Sequence, residues 1–105
     1  MQNERYLHIV RVDVDPEIED EFNRWYDTVH IPALLACPGW LSARRYVVID
    51  GGPKYLAMYE VAGPWAYETA EFQRAKGFGE FEVHVRNFSR MRYREIFPNK
   101  AKSPE

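Results

Sequence analysis

The segment Trp25-Tyr26-Asp27-Thr28-Val29-His30-Ile31-Pro32 carries the residues best suited to moving a proton. On a helix, Tyr26 and His30 lie four apart and share a face, and Phe22 extends that row. Asp27, three residues before His30, can also meet it. An imidazole held beside a carboxylate or a phenol can take and return a proton near neutral pH. At the Pro-limited end of a helix, its ring would reach the mouth of a sheet's open face. A plainer role competes with this one: a cationic imidazole that only caps the last carbonyls of the helix.

Other chemistry-bearing residues are more scattered. Arg90, Arg92 and Arg94 alternate along one side of a strand. A solvated edge accounts for them; the functional alternative turns one or two inward, pairs them with Glu60 and lets them grip a substrate carboxylate or enolate. Arg44 and Arg45 point to opposite faces of their strand, so only one can share a cleft with the triplet. His8, between Leu7 and Ile9, reads as a hydrogen-bonded core or interface residue. The three histidines lack the i, i+4 pairing or paired carboxylates of a metal site, and no metal is expected. Cys37 is the sole cysteine, which rules out an intramolecular disulfide and fits a reducing compartment. Beside Pro38 it reads as a small packed residue rather than a nucleophile.

The elements that must position these groups follow from the pattern. Tyr6–Val14 alternates like a strand, with apolar residues on both sides. Asp15-Pro16 starts a helix, Asp15 as cap and Pro16 in the first turn, with Ile18, Phe22, Trp25 and Val29 as its buried stripe. Pro32 disturbs it, and Pro38-Gly39 ends a turn over 33–37. Strands over 41–50 and 54–61 flank the Gly51-Gly52-Pro53 turn. Gly63-Pro64 opens a second helix with Trp65, Ala66, Thr69, Phe72 and Gln73 as its stripe, broken by Gly77 and Gly79. A link over 81–86 leads to a last strand over 88–97. The order β, α, β, β, α, β predicts an α+β, ferredoxin-like fold: a four-stranded antiparallel sheet with two helices on one face. The bare face carries too much apolar area to leave in water, and a homodimer is the simplest cover.

Composition narrows the classes. The 105 residues make one domain, expected over 1–98 with a loose tail at 99–105. Sixteen aromatics on so short a chain must fill a core, line a pocket or meet a partner. Fourteen basic against sixteen acidic residues give a net charge of −2, which argues against nucleic acid as a partner. The polar start, Met1–Arg5, and the lack of a long apolar run predict a cytoplasmic protein without a membrane partner.

The stretch from Phe22 to Leu35, followed by Cys37-Pro38-Gly39-Trp40 and Ala43-Arg44-Arg45-Tyr46, resembles the EthD-like branch of the dimeric α/β-barrel superfamily. The W-Y-x-x-x-H-I-P piece is its specific part, and the likeness is strongest over residues 19–61. It implies a homodimer whose two sheets face each other, with one cleft per subunit. Such proteins include cofactor-free oxygenases, lactone isomerases, polyketide cyclases, lyases and haem-degrading enzymes. By that resemblance His30 is the catalytic or ligand-contacting position, with Tyr26 and Trp25 as neighbours. The expected function is a cofactor-free isomerase, cyclase, lyase or oxygenase acting on a small aromatic or cyclic carbonyl or hydroxy compound. His30 would be its acid/base and Tyr26 would hydrogen-bond the substrate oxygen. Trp25, Trp40 and Tyr46 would pack the ring, and Arg92 would meet its charge. The alternative is a non-catalytic dimeric ligand-binding or accessory protein in a degradation pathway. His84 falls near the axial histidine of haem-binding relatives but has no supporting motif, so haem is the lesser reading.

Overall fold

The first strand, β1, spans Tyr6–Val14 and has the bounds that its alternation predicts. With the third strand it occupies the middle of a four-stranded sheet, and every second residue from His8 to Val14 is buried. A computed structural model describes residues 5–98; the tail expected at 99–105 lies outside them. The other strands are β2 (Trp40–Val47), β3 (Tyr55–Val61) and β4 (Val85–Arg94). Their spatial order is β2-β3-β1-β4, and every neighbouring pair is antiparallel. With the helices between β1 and β2 and between β3 and β4, this is the ferredoxin-like arrangement.

Register decides which side chains meet the helices. On β1, His8, Val10, Val12 and Val14 are buried beneath the helical layer. Across the ladder His8 faces Tyr59 and Arg92, and Val10 faces Ala57 and Arg90. Leu7, Ile9, Leu56, Met58, Met91 and Tyr93 fall on the other side, which no helix covers.

The first helical segment differs from the predicted one in an informative way. Asp15 makes no side-chain cap; a tight turn over Pro16–Ile18 leads into α1, Glu19–Trp25, with Glu19, Asp20 and Glu21 at its positive end. The helix then widens over Tyr26–His30, where the Ile31 N–H reaches back five residues to the Tyr26 carbonyl, and it resumes as α2, Ile31–Leu35. Pro32 offers no N–H and its ring crowds the carbonyl four residues back, so a wider turn relieves both problems. The extra residue rotates the buried stripe. Phe22, Tyr26, His30 and Leu34 are 0, 2, 6 and 4% exposed, while Val29, expected in the core, is 52% exposed.

The second helical region is split. A short turn over Pro64–Tyr67 precedes α3, Ala70–Ala75, because the Thr69 hydroxyl accepts the Phe72 N–H at 3.0 Å and starts a helix afresh. Thr69 is therefore a cap rather than a stripe residue, and Trp65 is largely exposed. A further tight turn over Gly79–His84 leads into β4, which begins and ends three residues earlier than predicted.

Candidate functional site

Between the sheet and the helical layer lies a cavity of about 460 Å³. Its floor is His8 and Val10 of β1 and Tyr59 of β3; its roof is Tyr26, His30 and Leu34. Phe72 and Phe78 close one side. Arg90, Lys76 and Glu82, all solvent-exposed, stand at its rim.

The widened turn puts Tyr26 and His30 side by side in the roof, with ring centroids 4.9 Å apart in an edge-on arrangement. Phe22 continues the row behind Tyr26, at 5.4 Å. His30 is thus inside a helix, not at its frayed end, so it caps no terminal carbonyls. Its ring faces the covered side of the sheet, not the bare one. Asp27 does not meet it either: the Asp27 carboxylate accepts from Arg45 at 2.9 Å. Burial, with the Arg45 guanidinium adding to it, holds the His30 imidazole down at about 4. The ring is therefore neutral at physiological pH, free to accept a proton but reluctant to keep it.

Tyr26 is the centre of a second set of contacts. The Tyr59 hydroxyl donates to the Tyr26 oxygen at 3.2 Å. Arg45, anchored by Asp27 and by Asn23 at 2.8 Å, lies 4.4 Å from the Tyr26 ring centroid. Burial raises both phenols above their ordinary range, so both stay protonated and able to donate. Of the adjacent arginines, Arg45 is the one on the cavity side; Arg44 faces away, as strand alternation requires.

His8 is the member of the site that the sequence hid. It is 5% exposed, lines the cavity, and shares a hydrogen bond between Nδ1 and the Tyr67 hydroxyl at 3.2 Å. Burial, reinforced by Arg90 and Arg92, holds its imidazole at about 4 as well. Two neutral imidazoles thus line one chamber. Nothing local marks His8, since its partners Tyr59 and Tyr67 are more than fifty residues away.

The expected packing residues divide. Trp25 stacks on His30 at 4.8 Å with 14° between the planes. Trp40 meets His8 edge-on at 5.0 Å, and its indole N–H donates to the Ala66 carbonyl at 3.2 Å. Each indole backs one histidine, and neither is among the cavity-lining residues. Tyr46 is on the helix-free side, opposite Leu56, away from the cavity. The cause is a bulge: the β2–β3 register shifts between Trp40 and Ser42, so Trp40 and Tyr46, which strict alternation would put together, lie on opposite faces. Arg92 lies 3.7 Å from the Tyr67 ring centroid and supports His8 from behind; Arg90 is the arginine that lines the cavity. Neither pairs with Glu60, which sits on the bare face with Arg5 and Ser42.

Two further positions concern metals and cofactors. His84 Nδ1 lies 3.0 Å from Asp15, whose carboxylate also accepts from Arg86, and His84 does not line the cavity. Asp15, Glu17 and His84 bring three donor atoms within 4.8 Å of one another, a cluster invisible at a separation of 69 residues. Arg86 already pairs with its Asp15. Cys37 is buried, and its thiol points to the Ala33 carbonyl at 3.4 Å, as a packed residue would.

A four-stranded antiparallel sheet in this order, with helices on one face and a chamber between the layers, defines an α+β, ferredoxin-like fold. The fold is shared with an EthD family protein from Bacillus halodurans (TM-score 0.63, 14% identity, 87% of this chain and 99% of that one). It is shared also with a mutant of SnoaB, a cofactor-independent oxygenase from Streptomyces nogalater (0.67, 13%, 90% and 97%). A third similar structure is a mutant of MhuD holding two manganese protoporphyrin IX groups per active site (0.68, 13%, 87% and 94%). No curated protein matches the sequence. The chain belongs to the family described as a domain of unknown function (DUF4286), whose model matches residues 5–100.

Proposed function

We propose that the protein is a cofactor-free enzyme that shifts a proton on a small aromatic or cyclic carbonyl or hydroxy compound. The observation that carries this reading is the neutral His30 imidazole beside the Tyr26 phenol in a largely aromatic chamber. In the step envisaged, a C–H bond next to a carbonyl breaks and its proton goes to the imidazole. The electron pair moves onto the carbonyl oxygen, where Tyr26 donates a hydrogen bond to the enolate. An imidazole held near 4 is a weak base. It therefore suits an acidic C–H, and its conjugate acid readily returns the proton. The SnoaB likeness supports chemistry without a cofactor; the MhuD likeness is the reason to test haem separately.

The protomer acts as a homodimer in this reading, joined through the helix-free side, where Leu7, Ile9, Leu56, Met58, Met91 and Tyr93 form an apolar surface. No helix among the described residues is long and apolar enough to cross a membrane.

Deuterium incorporation from D₂O into 2-tetralone tests the assignment. The wild type should exceed the buffer rate and H30A should fall to it, with H30Q as a shape-retaining control. Unchanged exchange in H30A removes His30 from the chemistry. Binding of 2-tetralone without exchange favours a second reading, a dimeric ligand-binding protein, which the low basicity of both imidazoles supports, as does the lack of a carboxylate hydrogen-bonded to His30 among the described residues.

A further inference from the structure

The chamber has a charge pattern that names the kind of molecule it takes. Its interior is neutral: His8 and His30 are unprotonated at physiological pH and both phenols keep their protons. Its rim is not. Arg90 and Lys76 stand there against one carboxylate, Glu82, leaving one positive charge in excess. Glu82 is engaged as well, since its Oε1 accepts the Phe78 N–H at 3.3 Å. Nearby cations are matched: Arg45 by Asp27, Arg86 by Asp15 and Lys54 by Glu19. Among the described residues no carboxylate lies within ion-pair distance of Arg90 or Lys76.

Arg90 is placed to use that freedom. It sits opposite Val10 on the covered side of the sheet, one alternation from Arg92, which is opposite His8. Arg92 is committed to the Tyr67 ring; Arg90 is the guanidinium left facing the chamber. A planar guanidinium at the mouth of an aromatic chamber matches a planar oxyanion attached to a ring. We propose that the chamber takes a small ring-bearing mono-anion, a carboxylate, with its charge held at Arg90 and its ring turned inward against Tyr59, Phe72 and Phe78. This rests on the chamber being the ligand site, as argued above, and adds the charge and the orientation of the ligand.

Calorimetric titration with 2-naphthoate and with 2-naphthamide separates the two levels, because the pair share a ring and a shape and differ in charge. The acid should bind about tenfold more tightly than the amide, as a charge-assisted hydrogen bond allows. Added salt should weaken the acid alone. In R90Q the acid should fall to the level of the amide while the amide is unchanged, and R90K should retain part of the preference. Arg90 is exposed, so R90Q should fold, and its melting curve checks that directly. Equal binding of acid and amide by the wild type, or an intact preference in R90Q, overturns the anion and leaves the chamber as a ligand site. Binding of neither compound overturns both.

Discussion

At the scale of single residues, the site is two neutral imidazoles and two protonated phenols held by partners from distant elements. Arg45 illustrates how such support works. Its guanidinium lies over Tyr26, pairs with Asp27 and adds to the lowering at His30. R45A should therefore raise the His30 pKa from about 4, by less than burial itself lowers it, and should cost about 1 kcal/mol of stability. Histidine NMR titration and urea unfolding read the two effects, and an unmoved His30 pKa would contradict the coupling. His30 and Tyr26 could be found from sequence because they belong to one helix and their spacing puts them together. His8 could not, since what makes it a site residue is the Tyr59 and Tyr67 that the sheet and a later turn bring to it. Nor could Arg90 be told from Arg92: both sit on the same side of β4, and only the position of Tyr67 separates their roles.

Single structural irregularities place the site at the scale of elements. The widened turn around Tyr26–His30 replaces the expected stripe with one that includes the imidazole. The β2 bulge brings Trp40 behind His8 and sends Tyr46 to the other side. The periodic parts of the chain were legible, β1 to the residue, because its buried and less buried side chains alternate without interruption from His8 to Val14. Bulges and wide turns insert one residue, and alternation alone cannot register that. Gly39, just before β2, shows how tightly the junction is set: its φ is +88°, and a Cβ there would come within 2.7 Å of the Ala66 Cβ. G39A should destabilise the fold by ~2–4 kcal/mol, combining left-handed strain with overpacking. A lowered urea midpoint with an unchanged slope is the expected result, and an unchanged midpoint would contradict it.

For the whole molecule, the buried histidines tie stability to pH. Both have folded pKa values of about 4 against an ordinary 6.5, so the unfolded chain binds more protons between those values. Stability is then fully present above 6.5 and falls as the pH drops toward 4, by roughly 3 kcal/mol per histidine at the lower end. Asp13, Asp15 and Glu19, held below the usual carboxylate range chiefly by hydrogen bonds from Asn87, His84 and Lys54, extend the loss to lower pH. Replacing His8 by Phe should remove about half of the slope between 4 and 6.5, as denaturant titrations at several pH values would reveal. The bare face makes a separate prediction: sedimentation should give twice the protomer mass for the wild type and a monomer for I9K, with the melting curve of I9K still cooperative. The βαββαβ order and the existence of that face were plain from the pattern of elements. Which apolar side of β1 met the helices was not, because both sides carry apolar residues.

The most direct test is to observe the imidazoles themselves in ¹⁵N-histidine-labelled protein, following their ring nitrogens between pH 5 and 7.5 with and without 2-naphthol. His8 and His30 should stay neutral at pH 6 and above, and both should shift in a saturable way as the compound is added. A His30 that titrates near 6.5 and does not respond to 2-naphthol would contradict that.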